Sequence, residues 1–352
     1  MFQYIARRLL YGIAVLFLVV IVIASIIYLA PVDPARLTFG QRSDVASLES
    51  KRQELGLDKP LYVQLGKYLV DLSPVAFIED SPRNEEKYNY LKLIPVGSTY
   101  LVLKTPYLRE SFQSGKSVSA ILASSVPRTA LLAFSAILLA IFIGIPLGVA
   151  AALRQHSGFD NVAVISSVLG FSIPSYVSAM LLALCFGYWL SDWTGLQVSG
   201  SVYGLDDFGD ERYFWGNLIL PAIALGIRPI AIITQLTRSA MLDVLSQDYI
   251  RTARAKGLKY WQIIFKHALR NALNPVVTAV SGWFAALLAG AFFVENVFQF
   301  NGLGQVTVNA LLSYDIPVVL GSVLFTATVF ILINILVDLL YVLIDPRIRV
   351  VS

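Results

Sequence analysis

Long runs of uncharged, mainly apolar residues alternate with polar segments along this chain. A membrane-spanning helix needs about 20 mainly apolar residues, so runs of this kind locate the spans. The pattern predicts six spans, at 9–30, 128–152, 161–190, 216–237, 271–294 and 316–343. The fourth contains one charge, Arg228, directly before Pro229. A charge at that depth needs a partner or a water-filled cavity.

The first run could also be a cleaved signal peptide, because Arg7 and Arg8 precede its apolar core. A secretory apolar core has about 7 to 15 residues, which is shorter than this run, and no small-x-small cleavage site precedes Pro31. We therefore interpret 9–30 as a span.

Lysine and arginine in the short loops predict the orientation. Arg7 and Arg8 place 1–8 in the cytoplasm, and six spans return 344–352 to the same side. The loop 238–270 carries seven basic residues against two acidic ones, which predicts that it is cytoplasmic, as is the short loop 153–160. The acidic loop 191–215 is predicted to be extracytoplasmic, and parity puts 295–315 there too.

The long polar segment 31–127 is extracytoplasmic by parity. Within it, Ser47 to Leu57 predicts a helix that ends at Gly56, and Tyr88 to Thr105 is compatible with a small strand pair. Two interpretations stay open: an ordered loop that covers the outer helix ends, or a contact surface for an extracytoplasmic partner.

Composition supports a membrane protein, with 57% hydrophobic and 14% charged residues where soluble domains have about a quarter charged. A net charge of +4 does not suggest nucleic acid. The single cysteine, Cys185, cannot build a disulfide framework, and the two histidines are far apart, so we expect no metal site. Gly115-Lys116-Ser117 is not a phosphate-binding loop, because Glu110 stands where the motif needs its first glycine. We expect no catalytic residues and no ATP site.

The basic loop contains a short predicted helix. Asp248 can cap its start, and Gly257 supplies a C-terminal stop. Ala253 and Ala255 keep part of its surface small, and Tyr249 offers an aromatic anchor. On these residues alone, docking to another protein and lying against anionic headgroups are equally good interpretations.

Two nearby segments resemble the cytoplasmic coupling loop, or EAA loop, of permease subunits in binding-protein-dependent ABC importers. They are DYIRTARAKGL at 248–258 and HALRNALNPVV at 267–277. The dipeptide, oligopeptide and nickel branch is the most similar. Arg251-Thr252-Ala253 and Gly257 fit the first part of the general motif. His267, Leu269 and Arg270 depart from its second part, as the peptide branch commonly allows.

Other segments extend the resemblance over nearly the whole chain. They are LGLDKPL at 55–61, VPRT at 126–129, IPLG at 145–148, SIP at 172–174, TRSAML at 237–242, ENVF at 295–298, GLG at 302–304, DIP at 315–317 and DPR at 345–347. The main departure is 72–105, where this chain carries extra extracytoplasmic sequence whose role stays open.

The resemblance implies an all-α, type I importer permease with its permease domain at about 126–342, in a bacterial cytoplasmic (inner) membrane. Its implied partners are a second homologous permease, two ATPase subunits that hold ATP and Mg, an extracytoplasmic substrate-binding protein and membrane lipid. The residues implied to couple to the ATPases are Asp248, Tyr249, Arg251, Thr252, Ala253, Arg254, Ala255, Lys256, Gly257 and Leu258. The implied activity is peptide import by alternating access.

Four polar residues in apolar surroundings are candidates for the substrate pathway: Ser172, Tyr176, Asn274 and Asn334. Hydrogen bonding between helices explains such residues equally well. Two alternatives for the whole chain also stay open: import of nickel or another small solute, and an ion-coupled secondary transporter that works without ATPases.

Overall fold

The computed structural model describes residues 2–29, 49–50, 52–53, 58–79, 81–205, 210–289 and 291–344. They divide into two compact units. One unit consists of the described residues of Met1–Arg8, Ser125–Gln305 and Thr326–Ser352. The other consists of those of Leu9–Ser124 and Val306–Phe325.

The second unit is a mixed helix and sheet structure. Its elements are α1 (Phe2–Leu29, which starts in the first unit), α2 (Leu61–Leu72), β1 (Val75–Glu79), α3 (Pro82–Lys87), β2 (Tyr90–Val96) and β3 (Thr99–Lys104). The strands form an antiparallel sheet in the order β1-β3-β2. The strand pair predicted within Tyr88 to Thr105 is therefore present, and β1 extends it to three strands. The predicted helix at 47–57 lies mostly outside the described residues.

The first unit is helical. After α4 (Val118–Leu153, which starts in the second unit) come α5 (Gly158–Ser172), α6 (Ser175–Leu182) with a π-helical continuation (Ala183–Trp189), α7 (Ser191–Thr194), β4 (Tyr203–Leu205), β5 (Glu211–Tyr213) and α8 (Gly216–Leu245). There follow α9 (Asp248–Ala255), α10 (Tyr260–Gln262) with a π-helical turn (Ile263–Leu269), α11 (Arg270–Ala289), α12 (Phe292–Phe298), α13 (Leu303–Leu312, which continues into the second unit from Val306) and α14 (Ile316–Ile344, which belongs to the second unit up to Phe325).

The stretch predicted as one span at 161–190 consists of two helices that meet at an angle of 103°. The break lies at Ile173 and Pro174. A proline disfavours the helical conformation of the residue before it, and Ile173 accordingly has φ −75° and ψ 125°, an extended backbone. Pro174 then occupies the N-cap of α6.

Two glycines allow α4 and α8 to approach closely. A Cβ atom at Gly144 would lie 2.9 Å from the Ile233 side chain, and one at Gly148 would lie 2.6 Å from the backbone oxygen of Thr234. Lipid tails are as apolar as the helix surfaces, so membrane helices associate mainly through such close packing of small residues. Ala133, Ala136 and Ala140 continue the small-residue packing along α4.

In the described part of the chain, four helices are long and apolar enough to cross a membrane: Val118–Leu153, Gly216–Leu245, Tyr260–Leu288 and Ile316–Val337. The bent pair α5 and α6 makes a fifth crossing if it is one span. The first predicted span coincides with helix α1, which is not among these candidates, so the count of six spans stays a prediction.

Candidate functional site

Helix α9 forms within the predicted coupling segment and has defined ends. Gln247 occupies the N-cap, and Asp248 lies in the first turn, where a carboxylate favours the helix dipole. The sequence-based placement of Asp248 at the cap was therefore one residue too late. Gly257 has φ +73°, its N–H donates to the Arg254 carbonyl at 3.0 Å, and the Leu258 N–H donates to the Ala253 carbonyl at 3.4 Å. These two bonds form a Schellman motif, which satisfies the last carbonyls of the helix.

One face of α9 packs against the membrane helices. Ile250 is fully buried and Ala253 is 7% exposed. They belong to an apolar cluster with Met241 of α8, Val149 of α4 and Ile264 of the following π-helical turn. This cluster, which we call the coupling cluster, consists of Val149, Ala152, Ala240, Met241, Ile250, Ala253, Ile263, Ile264, Ala268 and Ala272. The sequence interpretation that Ala253 contributes to an accessible surface was wrong, because i and i+3 spacing puts it on the same face as Ile250.

The opposite face of α9 is exposed and basic. The exposed residues of the coupling segment are Asp248, Tyr249, Arg251, Thr252, Arg254, Ala255, Lys256, Gly257 and Leu258. Arg251 contacts Asp248 at 3.4 Å, but both side chains are so exposed that this ion pair contributes little. The Tyr249 hydroxyl accepts a hydrogen bond from the Asn271 side chain at 2.9 Å, which ties this ring to the start of α11. Three cations and one small residue, Ala255, thus form a surface that the described part of the chain leaves exposed.

An ion pair with a buried carboxylate joins the first turn of α5 to the C-terminal part of α8. The Arg238 guanidinium donates to Asp160 in a bidentate arrangement, Nε to Oδ1 at 2.5 Å and one terminal nitrogen to Oδ2 at 2.7 Å. The His156 backbone N–H also donates to Oδ2 at 3.0 Å. Asp160 is 2% exposed. Removing one partner of such a pair leaves an uncompensated buried charge, which costs about 3–5 kcal/mol. Sequence reasoning missed this pair, because the two residues are far apart in the chain.

A second buried carboxylate organises the turn after α12. Glu295 is fully buried, and its two oxygens accept from the Thr129 hydroxyl at 2.6 Å and the Gln305 N–H at 3.1 Å. A Cβ atom at Gly302 would collide with this carboxylate, and one at Gly304 would collide with the Phe292 backbone, so both positions need glycine. Burial raises the pKa of Glu295, while the bonds from Thr129 and from the backbone at Gln305 and Gly304 oppose the rise. Glu295 belongs to the segment ENVF, and the two glycines belong to the segment GLG. Both segments carry the family resemblance, but the sequence did not predict that they contact each other.

The four predicted pathway residues are dispersed over the helices. The Ser172 hydroxyl and the Asn334 amide donate to carbonyls of their own helices, those of Val168 and Phe330. Asn274 is exposed on α11, and its carbonyl accepts from Thr278. Tyr176 is 43% exposed, with its ring 6.2 Å from that of Phe293. Within the described ranges, no hydrogen bond links one of these four residues to another, and their pathway role stays a prediction.

Family models match both parts of the chain. One described as binding-protein-dependent transport system inner membrane component matches residues 144–350, and one for the N-terminal part of such membrane components matches residues 1–78.

Full-length relatives share more than a third of the sequence. A putative peptide transport system permease protein of Brucella abortus (strain 2308) is 37% identical over 98% of both chains. The dipeptide transport system permease protein DppB of Escherichia coli (strain K12) is 36% identical over 99% of both chains. A solved MetNI methionine ABC transporter structure covers 64% of this chain and 97% of its own, at 19% identity and a TM-score of 0.49.

Proposed function

We propose that this chain, which belongs to the family of binding-protein-dependent transport system inner membrane components, is a permease subunit of an ATP-driven importer of peptides. The names of its relatives, dipeptide and peptide transport permeases at 35–37% identity over nearly the whole chain, support peptides as the substrate class. The observation that carries the proposal is α9, a short helix with one face buried among the membrane helices and the other exposed and basic.

The coupling cluster gives a physical route for force. Ile250 and Ala253 contact side chains of α4, α8 and the turn that leads into α11. Close-packed interiors are difficult to compress, so a displacement of α9 must shift these helices or break the packing. A motor protein that moves the exposed face of α9 would thereby bias the membrane helices between two packed states.

The partners follow from the same architecture. The exposed basic face of α9 fits an ATPase subunit on the cytoplasmic side, and the family's description names a binding protein as the component on which transport depends. A second homologous permease, which the family resemblance implies, would complete the pathway. ATP and Mg would be held by the ATPase subunits, and the assembly would lie in the bacterial inner membrane.

The test replaces Ala255 by tryptophan. Ala255 is exposed, so we expect Ala255→Trp to reach the membrane at the wild-type level and to separate ATP hydrolysis from peptide uptake in the reconstituted complex. Uptake should fall at least tenfold. The matched control is Ala120→Trp, at an exposed alanine in the first turn of α4 that is predicted to lie on the opposite side of the membrane. If Ala255→Trp takes up peptide at the wild-type rate, with the wild-type ratio of ATP hydrolysed to peptide imported, docking at this surface is refuted.

An ion-coupled transporter and an ATP-driven importer differ in one measurement. Proteoliposomes that contain the complete complex should take up a dipeptide only when ATP is supplied on the side of the membrane that carries the ATPase subunits. An imposed ion gradient should not replace ATP. Uptake by this chain alone, driven by such a gradient, would support the secondary transporter. Uptake of nickel but of no peptide would support the other alternative.

A further inference from the structure

Arg228 is a charge near the middle of a membrane helix. Helix α8 runs from Gly216 to Leu245, so Arg228 lies about 18 Å from its start and about 26 Å from its end at a rise of 1.5 Å per residue. The helix is one of those long and apolar enough to span the membrane. Charged residues at such depth are costly and mark functional sites by default.

The surroundings of Arg228 are aromatic. Its guanidinium carbon lies 5.1 Å from the centre of the Phe171 ring on α5 and 6.0 Å from that of the Trp283 ring on α11. Its Nε is buried and has no hydrogen-bond partner among the described residues. Two rings from different helices therefore hold the guanidinium by cation–π contact, without neutralising its charge.

No carboxylate in the described part of the chain lies within ion-pair distance of Arg228. The acidic side chains on the helices packed against α8 are otherwise engaged, Asp160 by Arg238 and Glu295 by Thr129 and the turn at Gln305. The remaining charged groups on these elements are cations, including Arg270 and Lys266. The counter-charge of Arg228 must then come from outside these elements.

The position of Phe171 connects Arg228 with the broken helix. Phe171 is 45% exposed and precedes the break at Ile173 and Pro174, where α5 and α6 meet at 103°. Discontinuous helices of transporters commonly form substrate sites, because the break frees backbone groups in a cavity. A cavity of about 260 Å³ between α5 and α8 is lined by Gly170 and Ile227, but Phe171, Arg228 and Trp283 are not among its lining residues. A charge, two rings and a helix break thus occur together.

We infer that Arg228 binds the carboxylate of the peptide substrate during its passage, with Phe171 and Trp283 as positioning residues. This inference rests on the proposed function. A guanidinium presents paired donors in a planar fork that matches a carboxylate, and every peptide with a free C-terminus carries one. The Arg228 side chain is only partly buried in this chain, and both rings lie within cation–π distance of its guanidinium.

The test compares alanyl-alanine with its C-terminal amide. Each peptide is supplied at a concentration that saturates the binding protein, as measured beforehand by titrating the binding protein with that peptide. Uptake is measured in proteoliposomes with the complete complex. Wild type should prefer the free acid, and Arg228→Gln should lose at least tenfold in uptake of the acid while uptake of the amide stays within twofold. ATP hydrolysis stimulated by the loaded binding protein should stay near the wild-type level.

Three further variants complete the design. Arg228→Lys keeps the positive charge but loses the planar pair of donors, so the preference for the acid should fall several-fold. If Arg228→Gln does not assemble, the result for Arg228→Lys tests the inference. Phe171→Leu should weaken the preference, whereas Phe142→Leu, at an exposed ring of α4, should not.

The outcomes separate the inference from the proposed function. An unchanged preference in both Arg228 variants overturns the inference, and so does an equal loss of uptake for acid and amide, which would point to lipid or a partner subunit as the source of the counter-charge. A wild-type complex that hydrolyses ATP but takes up neither peptide would instead overturn the proposed function.

Discussion

Gly257 ends the coupling helix in a conformation that other residues adopt at a cost. Its φ of +73° lies in the left-handed region, and a Cβ atom there would contact nothing within 4 Å. The penalty of a substitution is therefore backbone strain alone, about 1–2 kcal/mol for a residue with a side chain. We expect Gly257→Ala to loosen the Schellman turn without displacing any neighbour.

Hydrogen exchange measures this effect directly. Amides 254–258 should exchange several-fold faster in Gly257→Ala than in wild type, because the strain opens the last turn of α9. The control is Gly66→Ala, in the middle of α2, where φ is ordinary for a helix and the space is also open. That variant should be neutral or slightly protective. Equal protection of 254–258 in Gly257→Ala and wild type would contradict the role of the turn.

Glu295 makes stability depend on pH in a definite direction. Burial raises its pKa above the value in the unfolded chain, so between these two pKa values the folded state binds more protons than the unfolded state. The free energy of unfolding therefore falls as pH rises through this window, which begins near the unfolded value of about 4.3. We expect the apparent melting temperature of wild type to rise relative to that of Glu295→Gln as pH is lowered from 7 to 5.

The comparison with Glu295→Gln isolates this carboxyl from the other titrating groups. The amide has nearly the same size but cannot lose a proton. Any change with pH in the difference between the two melting temperatures should therefore come from the carboxyl at position 295. A difference between the variants that stays constant from pH 7 to pH 5 would show that Glu295 does not titrate in this range with a raised pKa.

Much of the coupling segment could be predicted from single residues. The helix at 248–255 and the glycine stop at Gly257 were predicted, because local propensity and backbone geometry decide them. The orientation of the helix was not, since Ala253 and Ala255 look equivalent by size. Only the packing of Ile250 into the coupling cluster shows which alanine faces inward.

At the scale of elements, the contact between α4 and α8 is tightest at Gly148, the second of its two glycines. A Cβ atom at Gly148 would lie 2.6 Å from both the Thr234 oxygen and the Thr237 Cβ, a distance at which backbone must move. We expect Gly148→Val to separate the helices and to lower the amount of folded protein in the membrane several-fold. Overpacking of this kind typically costs about 1–3 kcal/mol.

The matched control for this substitution is another glycine inside a membrane helix. Gly282 lies on α11 with nothing within 4 Å of the position of a Cβ atom. Gly282→Val should therefore retain near wild-type abundance, as judged by fluorescence-detected gel filtration of the solubilised chain. Equal loss in both variants would mean that β-branching alone, rather than the contact with α8, causes the defect.

Element boundaries were harder to predict than element existence. Apolar runs with at most one charge locate the cores of α4, α8, α11 and α14, because hydrocarbon disfavours charges. They do not locate helix ends: α4 starts at Val118, well before Arg128, since a helix can continue into water. The break at Pro174 also escapes a method based on charge, although the proline itself signals it.

At the scale of the whole molecule, the contacts between distant segments were beyond the sequence. Asp160 with Arg238 and Thr129 with Glu295 are separated by 78 and 166 residues. No periodicity connects residues so far apart in the chain. The same holds for the sheet order β1-β3-β2, in which the first strand pairs with the last. The sequence pattern identified which segments fold, and packing determined which of them meet.

The orientation of the chain is the remaining prediction at this scale, and its single cysteine makes it testable. In a Cys185→Ser background, a cysteine at exposed Lys256 should react with a membrane-impermeant maleimide only after permeabilisation, because the basic loop 238–270 is predicted inside. Cysteines at Lys116 and at Trp193, which is 91% exposed, should react in intact cells. Labelling of Lys256→Cys from outside would invert the topology and remove the exposed face of α9 from the reach of any cytoplasmic ATPase. Because Lys116 and Trp193 report on separate predicted loops, agreement between them also requires an even number of crossings between these loops.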